Sequence, residues 1–103
     1  MLNEAQKKID DWAQQFVEPY WPPLSQFAAL AEEVGETGRL LNHMYGSKPK
    51  KVEEAAQELG GEIVDVLFAA MCIANRHEID LDAEFAKKMD KCYGRDKDRF
   101  EKK

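Results

Sequence analysis

The chain has 103 residues, of which 44% are hydrophobic and 34% are charged, and its formal net charge at pH 7 is -5. These proportions are typical of a globular protein and exclude a disordered chain. The acidic balance argues against a nucleic-acid polymer or an anionic membrane as the main partner.

The cysteines and the first residues indicate the compartment. Cys72 and Cys92 lie twenty residues apart without a paired-thiol motif, so we expect reduced thiols. Residues 1–4 have neither the basic start nor the apolar run of a signal peptide. The longest apolar run is too short and too interrupted to span a bilayer. We therefore expect a cytoplasmic protein with no membrane partner.

Apolar residues at helical spacing predict a first amphipathic helix. They are Leu2, Ala5, Ile9, Trp12, Ala13, Phe16 and Val17. Pro19, Pro22 and Pro23 should end this helix and impose an extended connection, because proline lacks the amide proton and restricts the preceding residue.

A second helix is predicted to be capped by Ser25 and to run to about Met44. Six residues form one stripe along it: Leu24, Phe27, Ala31, Val34, Gly38 and Leu41. Glu33 and Glu36 lie on a different sector of the same helix.

A third helix is predicted from about Val52 to about Arg76, after a basic, turn-rich loop at residues 45–51. Its main apolar stripe consists of Val52, Ala56, Leu59, Ile63, Val66, Ala70 and Ile73. Gly60 and Gly61 interrupt the pattern, which suggests either the close approach of another backbone or a ligand, or a local bend.

A fourth helix is predicted from Leu81 to about Tyr93, with Asp80 as its cap and Gly94 at its end. We expect four of its residues to face inward: Leu81, Phe85, Met89 and Cys92. Residues 95–103 form a charged tail that we expect to be loosely ordered.

The chain shows no strand-like alternation, so the pattern predicts an all-α, four-helix bundle-like fold. We expect a single domain, residues 1–103, with its core at about 2–94. Four helices of this size bury limited area, and three apolar residues lie off the main stripe of the third helix: Val64, Phe68 and Met71. We therefore expect a homodimer or homotetramer, with the site near the subunit interface.

Asp65 is the only polar side chain among the twelve residues 63–74. A carboxylate in so apolar a segment is costly unless it is neutralised, paired or metal-bound. The structural alternative is a core aspartate that is bonded to a neighbouring arginine or amide.

Three further carboxylates share the spacing that would make a metal site. Glu62 precedes Asp65 by three residues, and Glu33 precedes Glu36 by three, so each pair points to one side of its helix. Four oxygen ligands from two helices suit a hard divalent cation. The alternative is that these acidic faces are merely solvated.

Two segments resemble the paired signature of the MazG-type all-α nucleotide pyrophosphohydrolases. They are Glu32-Glu33-Val34-Gly35-Glu36 and Glu62-Ile63-Val64-Asp65. The similarity covers roughly residues 24–99 and extends through Asn75, Ile79-Asp80-Leu81 and Lys91-Cys92-Tyr93-Gly94-Arg95.

This resemblance implies Mg²⁺-dependent hydrolysis of a nucleoside triphosphate between the α- and β-phosphates, with Mn²⁺ as a possible substitute. The products would be a nucleoside monophosphate and pyrophosphate, and the role would be to clear non-canonical or excess nucleotides. The resemblance makes Glu32 the residue that holds or deprotonates the attacking water. It makes four residues the metal ligands: Glu33, Glu36, Glu62 and Asp65.

Substrate contacts are predicted for both ends of a nucleotide. Lys91 and Arg95 match the family pattern and are the expected phosphate contacts, with Lys48 of the basic loop as a further cation. Asn75 would bond sugar or phosphate, or else cap the third helix. Trp21 would stack on the base, or else pack against the protein.

Two other functions compete with this hypothesis. A di-iron or di-manganese carboxylate bundle needs a glutamate followed three residues later by a histidine, twice, and Asp65 and Glu36 occupy those positions here. A non-catalytic helical interaction module with solvated acidic faces remains open. It predicts no strong dependence on divalent ions and leaves Asp65 unexplained.

Overall fold

A computed structural model gives the structure of the protein and describes residues 1–46 and 52–103. The described residues form four α-helices and no strand: α1 (Leu2–Ala13), α2 (Pro23–Tyr45), α3 (Val52–Arg76) and α4 (Leu81–Tyr93). The all-α, four-helix prediction is confirmed. Within the described part of the chain, no helix combines the length and the apolar character needed to cross a membrane.

α1 is shorter than its apolar pattern predicts. The helix ends at Ala13, and residues 14–20 form turns and bends, with the Phe16 amide donating to the Ala13 carbonyl at 3.1 Å. Phe16 and Val17 therefore lie beyond the helix, and Val17 is fully exposed. Pro19 lies within these turns and bends, and Pro22 and Pro23 follow them at the start of the second helix.

α2 begins at Pro23, and Pro22 occupies the cap position. Ser25 lies inside the first turn and makes no capping hydrogen bond, so the prediction that it caps the helix is wrong. A proline fits the first helical position because its missing amide proton would have no helical partner there.

α2 and α3 pack against each other as an antiparallel pair, since Gln26 contacts Cys72 while Glu33 lies near Asp65 and Glu62. The face of α2 that is turned toward α3 repeats every three or four residues: Gln26, Leu30, Glu33, Thr37 and Leu40. The apolar stripe predicted from the sequence is largely exposed instead: Leu24, Phe27, Val34 and Leu41 are 41–84% exposed. The single chain thus leaves an apolar helix face open.

α1 is joined to the junction of α3 and α4 by hydrogen bonds of Gln6. Its Nε2 donates to the Ile79 carbonyl at 2.8 Å and to the Asn75 side chain at 3.1 Å, and its Oε1 accepts from the Leu81 amide at 3.2 Å. These contacts fill the donors and the acceptor of a buried glutamine, so they position α1 across the two helices.

The ends of α4 agree with the prediction from the sequence, but its predicted inward face agrees only in part. The Asp80 side chain accepts from the Ala83 amide at 3.1 Å, and Gly94 follows the last turn, so both boundary predictions are confirmed. Of the four residues predicted to face inward, Leu81 and Met89 are half-buried, whereas Phe85 is 44% exposed and Cys92 is exposed. The helix packs chiefly against α1, so only part of that stripe is covered.

Buried apolar side chains are few among the described residues, and two of the four are alanines: Ala13, Leu40, Met71 and Ala74. At Gly60 and Gly61, no described atom lies within 4 Å of the place that a Cβ would take. The close approach that these glycines suggested is therefore not made by any described residue. Both observations leave surface for contact with another molecule.

Candidate metal centre and adjoining cavity

The antiparallel pairing of α2 and α3 brings three predicted metal ligands together. Glu33, Glu62 and Asp65 each offer a carboxylate oxygen within 4.8 Å of the others. Glu62 and Asp65 are neighbours because they lie three residues apart on α3, and Glu33 faces them from α2. Glu33 and Glu62 are half-buried and Asp65 is exposed.

The electrostatics of this cluster favour a bound cation. The adjacent Glu62 carboxylate, partial burial and the charge of Asp65 raise the pKa of Glu33 above its usual range. Among the described residues, the Glu62 Oε2 is buried without a hydrogen-bond partner. A buried, unpaired carboxylate oxygen beside two like charges is costly. An oxygen-only ligand set of this kind fits a hard divalent cation such as Mg²⁺.

Glu36 and Glu32 lie near the three carboxylates but outside their cluster. Glu36 is exposed and accepts a hydrogen bond from the Arg39 Nε at 3.2 Å, although its charge also acts on Glu33. Glu32 is exposed on α2, one residue before Glu33. The metal-ligand role of Glu36 and the catalytic role of Glu32 stay predictions.

A cavity of about 630 Å³ adjoins the carboxylates, and both Glu33 and Asp65 form part of its wall. Five aromatic side chains also line it: Trp12, Phe16, Tyr20, Trp21 and Phe68. The Trp12 ring meets the Phe16 and Phe68 rings edge to face, with centroids 5.1 Å and 5.9 Å away. Such walls offer the apolar faces on which a planar aromatic ligand stacks.

The sequence indicated only one residue of this aromatic wall, Trp21. The sequence pattern places Trp12 and Phe16 in the apolar stripe of the first helix, and Phe68 off the main stripe of the third. Gln26, which also lines the cavity, was not singled out. A signal for Gln26 was present, because it lies seven residues, or two helical turns, before Glu33 and hence on the same face.

Asn75 is committed to contacts with α1 and its following turn. Its Nδ2 donates to the Gln6 carbonyl at 3.0 Å and to the Tyr20 hydroxyl at 3.1 Å, while its Oδ1 accepts from the Gln6 side chain. Asn75 lines a second, polar groove rather than the aromatic cavity. Its predicted substrate contact would require some of these bonds to be exchanged.

The predicted phosphate contacts lie elsewhere in the fold. Lys91 and Arg95 are at the end of α4, which packs against α1, and Arg95 pairs with Asp96 at 3.0 Å. Lys48 lies outside the described residues. Among the described residues that line the aromatic cavity, there is no lysine or arginine. A polyanionic ligand there would need cations from a metal or from another part of the assembly.

Comparison with known proteins shows what the chain is similar to. A family model for the MazG nucleotide pyrophosphohydrolase domain matches residues 22–100. The protein YpjD of Bacillus subtilis (strain 168) is 42% identical over 102 residues, which are 99% of this chain and 92% of that protein. The match extends through α1, beyond the segment that the family model covers.

Two solved structures share the fold. The crystal structure of Bacillus subtilis YpjD is 41% identical, has a TM-score of 0.81, and aligns over 88% of this chain and 93% of its own. The crystal structure of the Bacillus-conserved MazG protein, a nucleotide pyrophosphohydrolase, is 36% identical with a TM-score of 0.76. That alignment covers 88% of this chain and 87% of the other.

Proposed function

Because the chain belongs to the MazG nucleotide pyrophosphohydrolase family and is an enzyme of that class, we propose that it cleaves nucleoside triphosphates between the α- and β-phosphates. The products are a nucleoside monophosphate and pyrophosphate, and the role is to clear non-canonical or excess nucleotides from the cytoplasm. One observation carries the proposal: three carboxylates converge on the edge of a cavity with aromatic walls.

Mg²⁺ is the proposed cofactor, with Mn²⁺ as a substitute, since both take oxygen ligands. Glu33, Glu62 and Asp65 would hold it, and Glu36 would be a fourth ligand if its bond to Arg39 were exchanged. When bound, the cation supplies Lewis acidity, a lowered pKa for water and compensation of phosphate charge.

The protein's own groups place the two reactants. Glu32 precedes a metal ligand on α2, and its exposed carboxylate holds the attacking water or accepts its proton. Trp21 stacks on the base at the cavity wall, while the carboxylate edge of the same cavity receives the phosphates. Positioning of this kind makes an attack on a phosphorus atom effectively intramolecular.

Cations for the phosphates come from Lys91 and Arg95, with Lys48 and Asn75 as further polar contacts. α4 packs against α1 rather than along the α2–α3 pair. The Lys91 and Arg95 that reach the carboxylates of one chain therefore belong to the α4 of a second copy. The exposed stripe of α2 provides the surface for such a homodimer or homotetramer. This arrangement puts the substrate site near the subunit interface.

Pyrophosphate release from a panel of canonical and modified nucleoside triphosphates, with Mg²⁺ and with chelator, tests the proposal. We expect metal-dependent release that falls at least about a hundredfold in Asp65→Asn and in Glu33→Gln. Asp90→Asn, on the exposed side of α4, is the control for a changed surface charge. No release from any triphosphate, with a thermal stability indifferent to Mg²⁺, would favour the non-catalytic interaction module.

A further inference from the structure

Gln26 is a buried amide in the wall of the aromatic cavity. Its nitrogen is hydrogen-bonded, and its oxygen is not. The residue is 4% exposed, and its Nε2 donates to the Cys72 carbonyl of α3 at 3.1 Å. This bond fixes the orientation of the amide, because a carbonyl accepts only from the nitrogen. The remaining atom, Oε1, is an acceptor that has no partner among the described residues.

A buried acceptor without a donor destabilises a protein, so its presence in a cavity wall calls for a ligand that donates. The other polar groups of this wall do not supply the missing donor. The Tyr20 hydroxyl donates to Asp10 and accepts from Asn75. The indole N–H groups of Trp12 and Trp21 and the Cys72 thiol make no bond to Oε1, and the other polar groups of the wall are carboxylates, which are acceptors when ionised. The polar part of the wall is therefore matched to a ligand rich in N–H groups.

We propose that Gln26 reads the base of the nucleotide, and that its Oε1 accepts a hydrogen bond from the exocyclic amino group of cytosine or adenine. The inference rests on the proposed function, because it assigns a substrate class to the same site. The aromatic side chains stack on the two faces of the base, while Gln26 contacts its edge. Bases with a keto oxygen at the equivalent position, namely uracil, thymine and guanine, are disfavoured.

The chemistry of the base edges explains this discrimination. Uracil and thymine present one ring N–H flanked by two carbonyl oxygens, so an approach to Gln26 Oε1 brings acceptors against an acceptor. The Gln26 Nε2 donates one of its two N–H groups to the Cys72 carbonyl, which holds the amide in place and leaves Oε1 as the atom without a partner. An amino group instead presents two donors at the outer edge. Sites built to accept from a ligand N–H strongly reject analogues that lack it.

The position of Gln26 along α2 suits the dimensions of a nucleotide. It lies seven residues before Glu33 on the same face of the helix, which is about 10 Å along the axis. This separation leaves room for a sugar between a base at Gln26 and phosphates at the carboxylates. The cavity of about 630 Å³ spans both ends, since Gln26, Glu33 and Asp65 all line it.

The test compares dCMP with dUMP, which differ in the group at position 4 of the pyrimidine and in the proton on the neighbouring ring nitrogen. Binding is measured by the fluorescence of Trp12 and Trp21 in the presence of chelator, so that neither metal nor hydrolysis is involved. We expect dCMP to bind about tenfold or more tightly than dUMP. In Gln26→Met, which keeps the side-chain length without the amide, the ratio should fall to near one through a loss on dCMP. Gln6→Met removes the other buried glutamine, which lies outside the cavity, and should keep the native ratio.

Several results would overturn the inference: equal or tighter binding of dUMP by the native protein, no fluorescence response to either nucleotide, or equal loss of both in Gln26→Met. The same comparison is then made with pyrophosphate release from dCTP and dUTP. The expected binding ratio without turnover would uphold the base site and refute the proposed function. Turnover without discrimination would uphold the function and refute the role of Gln26.

Discussion

Glu33 on α2 and Glu62 on α3 meet carboxylate to carboxylate across the contact between the two helices, with oxygens within 4.8 Å. In the described part of the chain, neither carboxylate forms an ion pair with an arginine or a lysine. The Glu62 contact, burial and Asp65 raise the pKa of Glu33, and the Glu62 Oε2 is left buried and unpaired. The fold therefore holds like charges together at a place where a cation would relieve them.

The first prediction concerns the stability of this pair without metal. Glu62→Gln removes one charge and places an amide donor next to Glu33, so it should stabilise the metal-free protein. In chelator we expect the Tm to rise by about 4–8 °C, and we expect the Tm increase that Mg²⁺ gives the native protein to disappear. Thermal unfolding by circular dichroism, with chelator and with Mg²⁺, measures both.

Glu58→Gln is the matched control, because Glu58 is exposed one turn earlier on α3. It should leave both Tm values within a degree or so, as surface substitutions usually do. A Glu62→Gln protein that is less stable than the native one in chelator would mean that Glu62 is structural rather than strained.

The second prediction concerns the fourth ligand. Glu36 is held by Arg39 through a 3.2 Å hydrogen bond between exposed side chains, and such pairs are weak. Arg39→Gln should free Glu36 and tighten Mg²⁺ binding by a few fold, on the order of the strength of that pair. Glu36→Gln should weaken Mg²⁺ binding, and calorimetric titration measures both. Unchanged affinity in both variants would exclude Glu36 from the site.

Much of this site could be predicted from spacing alone, because the relevant geometry is local. Glu62 and Asp65 are neighbours because residues three apart lie on the same side of a helix. Asp65 is also the one polar residue in an apolar segment, which indicates a functional role. That Glu33 faces them depends on the pairing of two adjacent long helices, which the family resemblance implied.

The packing faces of the helices could not be predicted from the sequence, because they depend on which neighbour each face meets in the folded chain. Hydropathy identified the stripe of Phe27 and Val34 on α2, but that stripe is exposed, and the face against α3 contains Gln26 and Glu33. An apolar stripe indicates burial somewhere, and in an oligomer that burial can be against another chain. The cavity could not be predicted for the same reason, since Phe68 and Gln26 line it from two different helices.

The third prediction tests whether Gln26 is kept for stability. Gln26→Met removes the unpaired Oε1 along with one hydrogen bond to the Cys72 carbonyl, and places apolar surface where the cavity is aromatic. We expect the free energy of unfolding to be unchanged or increased by up to about 1 kcal/mol. Gln6→Met, whose amide is fully bonded, should instead destabilise by about 1–3 kcal/mol. Denaturant unfolding of both variants separates a ligand-binding amide from a structural one.

The fourth prediction concerns the exposed stripe of α2. Phe27 is 62% exposed, and a charge at this position would be buried unpaired if two copies pack through the stripe. Phe27→Glu should therefore shift the protein from dimer or tetramer toward monomer at micromolar concentration, as measured by light scattering. Val17→Glu, at a fully exposed residue off the stripe, should not change the mass. A native protein that is already monomeric would contradict the predicted oligomer.

The fifth prediction concerns stability at alkaline pH. Burial and the hydrogen bond to Asp10 raise the pKa of Tyr20 to about 12, from an ordinary value near 10. The phenol therefore contributes stability that is fully present below pH 10 and is lost as the pH rises toward about 12, because the unfolded chain ionises first. The native free energy of unfolding should fall more steeply over this interval than that of Tyr20→Phe.

Near neutral pH the same variant should be less stable by about 1 kcal/mol, since Asp10 and Asn75 both lose the Tyr20 hydroxyl. The two curves should therefore approach each other as the pH rises, and urea unfolding at several pH values measures both. Tyr93→Phe removes an exposed phenol of α4 and shows how much of any change comes from losing a tyrosine alone. Curves for native and Tyr20→Phe that stay parallel up to pH 12 would mean that the phenol is not held by Asp10 in solution, and that α1 is fixed to α3 through Gln6 and Asn75 instead.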